Sequence, residues 1–242
     1  MIYRSNRPWI AQQVWKDVLF LHWPIPSELI QAQLPAPFKV DTYDGKSWIT
    51  IVLFQALHSR PRGMPRFLSQ RNLLQVNTRT YVRFNGVPGV YFLSLDTNSK
   101  WTVYGARSLY NLPYRKATMN FKRDDHGMQF ESKTANKSID FRSFKAQYRP
   151  TLTQVDNQPD SLAHFLTERY YLWTIKNKQI LKGSISHHPW DLVCAESQHK
   201  MGGRPSILVG EDLNEQPIAH YSESIHAYMH PFERVGIFDQ SE

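Results

Sequence analysis

Hydrophobic and polar residues alternate most regularly along Leu73–Phe84, and this pattern predicts a strand over that range. One set of alternate positions is apolar or β-branched, and the other set is polar. The polar set is Gln75, Asn77, Arg79, Tyr81 and Arg83. Because successive side chains of a strand point to opposite faces, the polar set shares one face of the predicted sheet.

Further strands outnumber the helices in the rest of the chain. The apolar run Trp48–Phe54 predicts a buried strand, and Val90–Leu95 predicts another. Strands are also expected near 117–122, 128–132, 138–147, 171–176, 179–186, 192–197 and 221–228. Short helices are expected near 27–33, 100–111 and 161–169. This count predicts a mainly β (α+β) fold, a closed or nearly closed β-barrel with a few short helices, since closure removes exposed strand edges.

Composition and charge narrow the class of protein. The 242 residues carry 29 Lys and Arg against 21 Asp and Glu, which gives a formal charge of +8. The cations are scattered and no familiar nucleic-acid motif is present, so we do not expect nucleic-acid binding. Pro and Gly are spread throughout and no linker interrupts the chain, which predicts a single domain over 1–242.

Location and assembly are constrained only weakly by the sequence. The chain lacks an apolar run of about 18 residues, the length needed for a membrane-spanning helix. Its first residues lack the apolar centre of a signal peptide. We therefore expect a cytoplasmic protein without a membrane partner, and a homo-oligomer is left open.

Metal and cofactor motifs are absent from the sequence. His226 and His230 have a helical spacing, but the residues around them alternate like a strand. The single cysteine, Cys194, lies in an apolar segment and is expected to be a buried structural thiol. Neither a phosphate-binding glycine loop nor a nucleophile elbow is present. We predict no metal and no cofactor.

The polar face of Leu73–Phe84 and the basic segment Arg107–Lys116 form the remaining candidate site. If the polar face lies on the outside of a sheet, it is a solvated surface without function. If it lines the lumen of a barrel, it forms a site for a small polar ligand. The arginines would then favour an anionic group such as a carboxylate. The pattern alone leaves both orientations open.

Seven stretches of the chain resemble the YqjF-like family of uncharacterised bacterial proteins, within the acetoacetate decarboxylase-like superfamily. The stretches are Leu19–Pro24, Val40–Trp48, Asn77–Val82, Gly89–Asp96, Ala106–Arg107, Leu112–Tyr114 and Phe165–Tyr170. Together they extend over nearly the whole chain. The resemblance implies a single domain built around a β-barrel with an interior pocket.

The resemblance also implies that the decarboxylase chemistry is lost. Acetoacetate decarboxylase uses a lysine that forms a Schiff base with a 3-oxo acid. By position in the family motif, Tyr114 replaces this lysine and Arg115 replaces the lysine after it. Arg107 matches the arginine of the motif, and Gln75 falls where the family has an acidic residue. A phenol cannot form an imine, so inherited decarboxylation is not expected.

Two functions therefore remain open. The first is binding of a small polar, carboxylate- or carbonyl-bearing molecule in the lumen without turnover. The residues expected to bind it are Gln75, Asn77, Arg79, Arg107 and Arg115. The second is a lyase, hydratase or isomerase acting on an oxo acid, with Tyr114, Tyr81 and Arg79 polarising and protonating it. Lys116 shares a strand face with Tyr114 and would form the imine if it reached the pocket, or else lie on the surface.

Overall fold

The computed structural model describes residues 7–70, 72–134, 143–202 and 215–238, most of which lie in strands. The strands are β1 (Ala11–Ile25), β2 (Lys39–Val40), β3 (Ser47–Pro61), β4 (Leu73–Phe84), β5 (Val87–Thr97), β6 (Tyr114–Asp124), β7 (Gly127–Thr134), β8 (Ser143–Gln154), β9 (Tyr171–Lys176), β10 (Gln179–Ser186), β11 (Val193–Gly202), β12 (Ile218–Met229) and β13 (Glu233–Ile237). The helices are α1 (Ser27–Gln31), α2 (Lys100–Tyr110) and α3 (Leu162–Thr167), with a 3-10 turn over Arg66–Leu68. Within these ranges, every helix is too short or too polar to cross a bilayer.

The strands close two rings that share one wall. The order β5-β6-β7-β8-β11-β12-β1-β3-β4 forms the first ring, and pairing of β4 with β5 closes it. In the second ring, β9 and β10 connect β5 to β12 in place of β6, β7, β8 and β11. The second ring is joined where Val90 pairs with Leu172 and where Ile185 pairs with Met229. The shared wall therefore consists of β12, β1, β3, β4 and β5.

The central parts of β1, β3 and β4 in the shared wall are buried on both faces, so their side chains alternate between two interiors. Leu21 of β1 and Ile51 of β3 point into the first ring and pack with residues of β7 and β8. Phe20 and Val52, one position along each strand, point toward the second ring. Burial on both faces explains why strands such as β3 are almost continuously apolar, since neither face meets water.

Several elements lie close to the bounds that the sequence predicts. The mainly β fold, with a closed ring of strands and a few short helices, is confirmed. β4 begins and ends at the predicted residues Leu73 and Phe84. The three helices lie within the predicted ranges. The first residues of the strand expected over 138–147 lie outside the described residues.

β1 is the longest stretch of strand that the local pattern does not predict. Its Asp17 has a φ of 51°, and the pairing register with β3 shifts beside it. The buried Asp17 carboxylate accepts hydrogen bonds from Gln55, Arg123 and Tyr221 at 2.8–2.9 Å. These partners come from β3, β6 and β12. They stabilise a bulge whose own residues are polar and do not favour a strand.

A buried ion pair lies inside the first ring at the start of β6. Asp96 of β5 and Arg115 of β6 are neighbours in parallel register, and Arg115 Nε donates to the Asp96 carboxylate. The side chains are only 8% and 14% exposed, respectively. Burial raises the pKa of the Asp96 carboxyl above its ordinary value, while the hydrogen bond and charge of Arg115 oppose that rise. The ionised form of the Asp96 carboxyl is therefore stabilised by Arg115.

Removal of one partner of this pair should destabilise the protein. We expect Arg115→Met to lower the free energy of unfolding by about 3 kcal/mol, because it leaves a buried carboxylate without its partner. Asp96→Leu combined with Arg115→Met removes both charges and should recover most of that loss. Urea denaturation of the two variants measures the effect. An Arg115→Met protein as stable as the wild type would contradict this role of the pair.

Candidate functional site

The second ring encloses a cavity of about 300 Å³. Its walls come from β1, β3, β4 and β5 of the shared wall, from β9 and β10, and from the segment that follows β10. Much of the lining is apolar, and its aromatic part includes Trp15, Phe20, Phe54, Phe92 and Trp190. A concave, mainly apolar space with a few polar groups is typical of a small-molecule site.

Three polar side chains of β4 form one edge of this cavity. Gln75, Asn77 and Arg79 occupy alternate positions of the strand, and all three line the cavity. The Tyr114 hydroxyl donates to Gln75 Oε1 at 3.4 Å. The polar face of β4 therefore points inward. The structure also brings together the two positions that the family resemblance aligns with the decarboxylase lysine and its acidic partner.

Arg79 brings a partly buried positive charge to the cavity wall. Its Nη2 donates to the Leu166 carbonyl at 2.9 Å, whereas its Nε is buried without a hydrogen-bond partner. Its guanidinium carbon lies 5.7 Å from the centre of the Phe20 ring and 5.8 Å from that of the Tyr81 ring. Among the described residues, no carboxylate lies within ion-pairing distance of Arg79.

The second arginine of the cavity already has an anionic partner. Arg169 Nη1 donates to the Asp41 carboxylate at 2.9 Å, and its Nε donates to the Phe165 carbonyl at 2.6 Å. Burial lowers the pKa of Arg169, and the charge of Asp41 opposes that change. No Asp, Glu or Lys is among the described residues that line the cavity. The positive charge of Arg79 is therefore not compensated within the lining.

Two further buried polar atoms on the lining have no partner among the described residues. They are Asn77 Oδ1 and Trp190 Nε1. Buried polar groups are normally hydrogen-bonded, and an unpaired one costs about 1–3 kcal/mol. With Arg79 Nε, they show that the hydrogen-bonding capacity of three lining residues is not fully used within the described part of the protein.

Tyr114 reaches the cavity from the first residue of β6. Burial raises the pKa of its phenol to about 12. The hydroxyl therefore keeps its proton at neutral pH and serves as a hydrogen-bond donor toward Gln75 or a bound molecule. A phenol with this pKa is a weaker general acid than one at its ordinary value.

Two residues that the sequence assigns to the site, Tyr81 and Arg107, are not part of the cavity lining. Tyr81 shares the strand face of Arg79 but is fully buried beyond it. Its hydroxyl donates to the Leu166 carbonyl at 2.7 Å and lies 2.6 Å from Thr50 Oγ1. The hydroxyl is therefore already hydrogen-bonded to residues of α3 and β3. Arg107 is exposed on α2, because the chain after β5 forms a helix that presents this side chain to solvent.

The sequence also assigns Arg115 and Lys116 to the site, but neither is among the described residues that line the cavity with Tyr114. Alternation along β6 points Arg115 into the first ring, where it pairs with Asp96. Lys116 shares the strand face of Tyr114, but it is exposed and its Nζ donates to the Asn98 carbonyl. Lys116 is the last residue of β6 that pairs with β5, and it is not among the described residues that line the cavity of the second ring.

The local sequence pattern does not identify the residues that the second ring brings from distant segments. Trp15, Arg169, Tyr170, His187 and Trp190 all line the cavity. The Trp15 and Trp190 rings stack with their centres 6.1 Å apart, and His187 lies 5.1 Å from Trp190. These residues come together only when β9 and β10 close the second ring of strands. The local signal in the sequence is the concentration of aromatic residues near His187.

Three buried histidines lie in or near the second ring. Burial lowers the pKa of His22, His187 and His220, and that of His220 falls to about 4. The charge of Arg79 also lowers the pKa of His22 and His187. In the part of the chain that the structure describes, no three His, Cys, Asp or Glu side chains are grouped closely enough to hold a metal ion.

Sequence comparison relates the chain to one family and to a bacterial relative. The family DUF2071, described as an uncharacterized conserved protein, matches residues 12–226. The uncharacterized protein YqjF of Bacillus subtilis (strain 168) is 36% identical over 216 residues. That alignment covers 89% of this chain and 88% of the relative.

Structural comparison identifies acetoacetate decarboxylase-like folds. Acetoacetate decarboxylase from Legionella pneumophila has a TM-score of 0.68 at 13% identity, covering 98% of this chain and 91% of that one. The enduracididine biosynthesis enzyme MppR complexed with pyruvate has a TM-score of 0.68 at 10% identity, covering 97% and 93%. An acetoacetate decarboxylase-like enzyme from Sphingomonas wittichii RW1 has a TM-score of 0.65 at 13% identity, covering 96% and 95%. At these identities the likeness establishes the fold.

The buried histidines predict a loss of stability in mild acid. Their folded-state pKa values lie below the ordinary value of 6.5, so their contribution is present above pH 6.5 and is lost as the pH falls toward the folded values. For His220 we expect a loss of about 2 kcal/mol between pH 7 and about pH 4.5. His220→Gln should remove this part of the pH dependence, measured by urea denaturation at both pH values. The same pH dependence in the variant would rule out this contribution.

Proposed function

The chain belongs to the DUF2071 family of uncharacterized conserved proteins, and from this membership and the cavity geometry we propose that it binds a small carboxylate- or carbonyl-bearing molecule in the second ring. The observation that carries the proposal is the guanidinium of Arg79. It lies on the cavity wall with a buried, unpartnered Nε and no carboxylate partner among the described residues.

Electrostatics favour an anionic group beside Arg79. A partly buried charge without a counter-ion is costly, and a carboxylate forms strong, charge-assisted hydrogen bonds with guanidinium. The lining lacks an acidic side chain within the described residues, so no carboxylate of the lining competes for Arg79. A ligand carboxylate would therefore supply the missing counter-charge.

The polar neighbours of Arg79 suit a carbonyl or hydroxyl group of the same molecule. Tyr114 keeps its proton and donates, while Asn77 carries an amide without a protein partner at Oδ1. The related fold of MppR has been solved with pyruvate, a molecule that combines a carboxylate with a carbonyl. This likeness supports a carboxylate with a second oxygen function as the ligand class.

The same geometry supports binding without imine chemistry. No lysine is found among the described residues of the lining, and Lys116 is exposed and donates to a backbone carbonyl instead. Tyr114 stands where the family resemblance places the Schiff-base lysine. We therefore propose that the protein is not an acetoacetate decarboxylase acting through that lysine.

An enzyme acting on an oxo acid is the second candidate function. The contact between Tyr114 and Gln75 favours it, because it places a protonated phenol beside an amide at one edge of the cavity. In a lyase, hydratase or isomerase, Tyr114 would donate a proton to the substrate oxygen while Arg79 oriented the carboxylate. Tyr81 would act only by supporting the backbone that Arg79 also contacts, since both donate to the Leu166 carbonyl.

Substitution of Arg79 tests the anionic anchor. We expect pyruvate and acetoacetate to raise the Tm of the wild type, whereas pyruvamide, which keeps the carbonyl but lacks the charge, should raise it much less. Arg79→Gln should weaken binding of both acids at least tenfold, because it removes the charge that the carboxylate meets. Arg149→Gln, which removes an exposed arginine on β8, is the matched control and should bind like the wild type. Equal binding of the acids by Arg79→Gln and wild type would overturn the proposal.

Borohydride trapping tests the absence of imine chemistry. Incubation with pyruvate or acetoacetate and sodium borohydride should leave the protein at its unmodified mass, because no lining residue described here carries a primary amine. Intact-mass spectrometry followed by peptide mapping gives the result. A reduced adduct on Lys116, or on any other lysine, would instead establish an imine-forming site.

A further inference from the structure

The lining of the second ring points to a more specific ligand than the carboxylate or carbonyl compound proposed above, on whose binding this inference rests. We infer that the cavity takes an arylalkyl carboxylic acid. Its carboxylate would meet Arg79, and its aromatic ring would lie against the side chains of Trp15, Phe20, Phe54 and Trp190. These four side chains are called the aromatic wall.

The aromatic wall forms one continuous surface. The centre of the Trp15 ring lies 5.2 Å from that of Phe54 and 6.1 Å from that of Trp190. Phe20 meets Trp190 edge-on, at 5.0 Å and 85°. Phe20, Phe54 and Trp190 are held rigidly because they also pack in a buried apolar cluster. Trp15 is only partly buried, so its ring keeps surface that a further aromatic group can contact.

The anionic site and the aromatic wall adjoin each other. The Arg79 guanidinium carbon is 5.7 Å from the centre of the Phe20 ring, the wall residue nearest to it by these contacts. A ligand bound to both must therefore carry its charged group and its ring close together. One or two carbon atoms between the carboxylate carbon and the ring satisfy this requirement.

The size of the cavity also exceeds that of the smallest oxo acids. It measures about 300 Å³, whereas one water occupies about 30 Å³ of liquid, so it has room for about ten non-hydrogen atoms or more. Pyruvate has about six, and phenylpyruvate has about twelve, both by simple atom count. Burial of the extra phenyl group in an apolar space favours the larger acid by about 10- to 100-fold in Kd.

Isothermal titration of the wild-type protein with three probes tests the inference. Phenylpyruvate carries both acid and ring, pyruvate lacks the ring, and phenylacetone lacks the acid. We expect phenylpyruvate to bind about 10- to 100-fold more tightly than pyruvate and far more tightly than phenylacetone. This series needs no variant, so it is decisive even if a substitution in the wall impairs folding.

A substitution in the aromatic wall tests where the aromatic ring of the ligand binds. Trp15 is only partly buried, and Trp15→Leu should reduce phenylpyruvate affinity about tenfold while pyruvate affinity changes less than twofold. Trp101→Leu removes a tryptophan that is 79% exposed on α2, and it is the matched control that should bind like the wild type. Equal losses for both acids in Trp15→Leu would overturn the assignment of the ring to this wall.

The outcomes separate this inference from the proposed function. Pyruvate bound as tightly as phenylpyruvate, with both lost in Arg79→Gln, would overturn the arylalkyl class but leave carboxylate binding in place. Phenylacetone bound as tightly as phenylpyruvate would remove the anionic anchor and with it this inference, and it would leave only the carbonyl-bearing part of the proposed ligand class. Failure of all three probes to bind would contradict both.

Discussion

Burial of both faces of the central strands of the shared wall is the constraint on which the rest of this structure depends. Over the buried parts of β1, β3 and β4, each side chain enters one interior or the other. Hydrophobic residues at alternate positions fill most of the first ring, and the two charges inside it, Asp96 and Arg115, pair with each other. The polar residues of β4 are thereby directed to the second ring, where a cavity remains.

The sequence predicts much of the architecture and the part of the candidate site that lies on β4. The alternation along β4 predicts both its bounds and the common face of Gln75, Asn77 and Arg79. The sequence does not predict β1, because the bulge at Asp17 interrupts the alternation of polar and apolar residues. That bulge is stabilised by hydrogen bonds from three distant strands. Trp15 is likewise added to the cavity only when the ring closes, and no local pattern records that event.

The start of β6 shows why strand parity alone does not define a site. Three consecutive residues have three different surroundings here. Tyr114 lines the cavity, Arg115 points into the first ring, and Lys116 is exposed to solvent. Alternation explains the second of these positions. Lys116 shares the face of Tyr114 and is still paired with β5, yet it is exposed, so the cavity covers that face over only part of its length.

A wall with two buried faces also bears on how such a chain can diversify. Replacing residues at one parity of β4 alters the cavity of the second ring, while the opposite parity continues to pack the first ring. Selection for a new ligand and selection for a stable fold therefore act on interleaved but separate sets of positions. The neutral contact between Gln75 and Tyr114 fits this separation, since neither side chain takes part in packing the first interior.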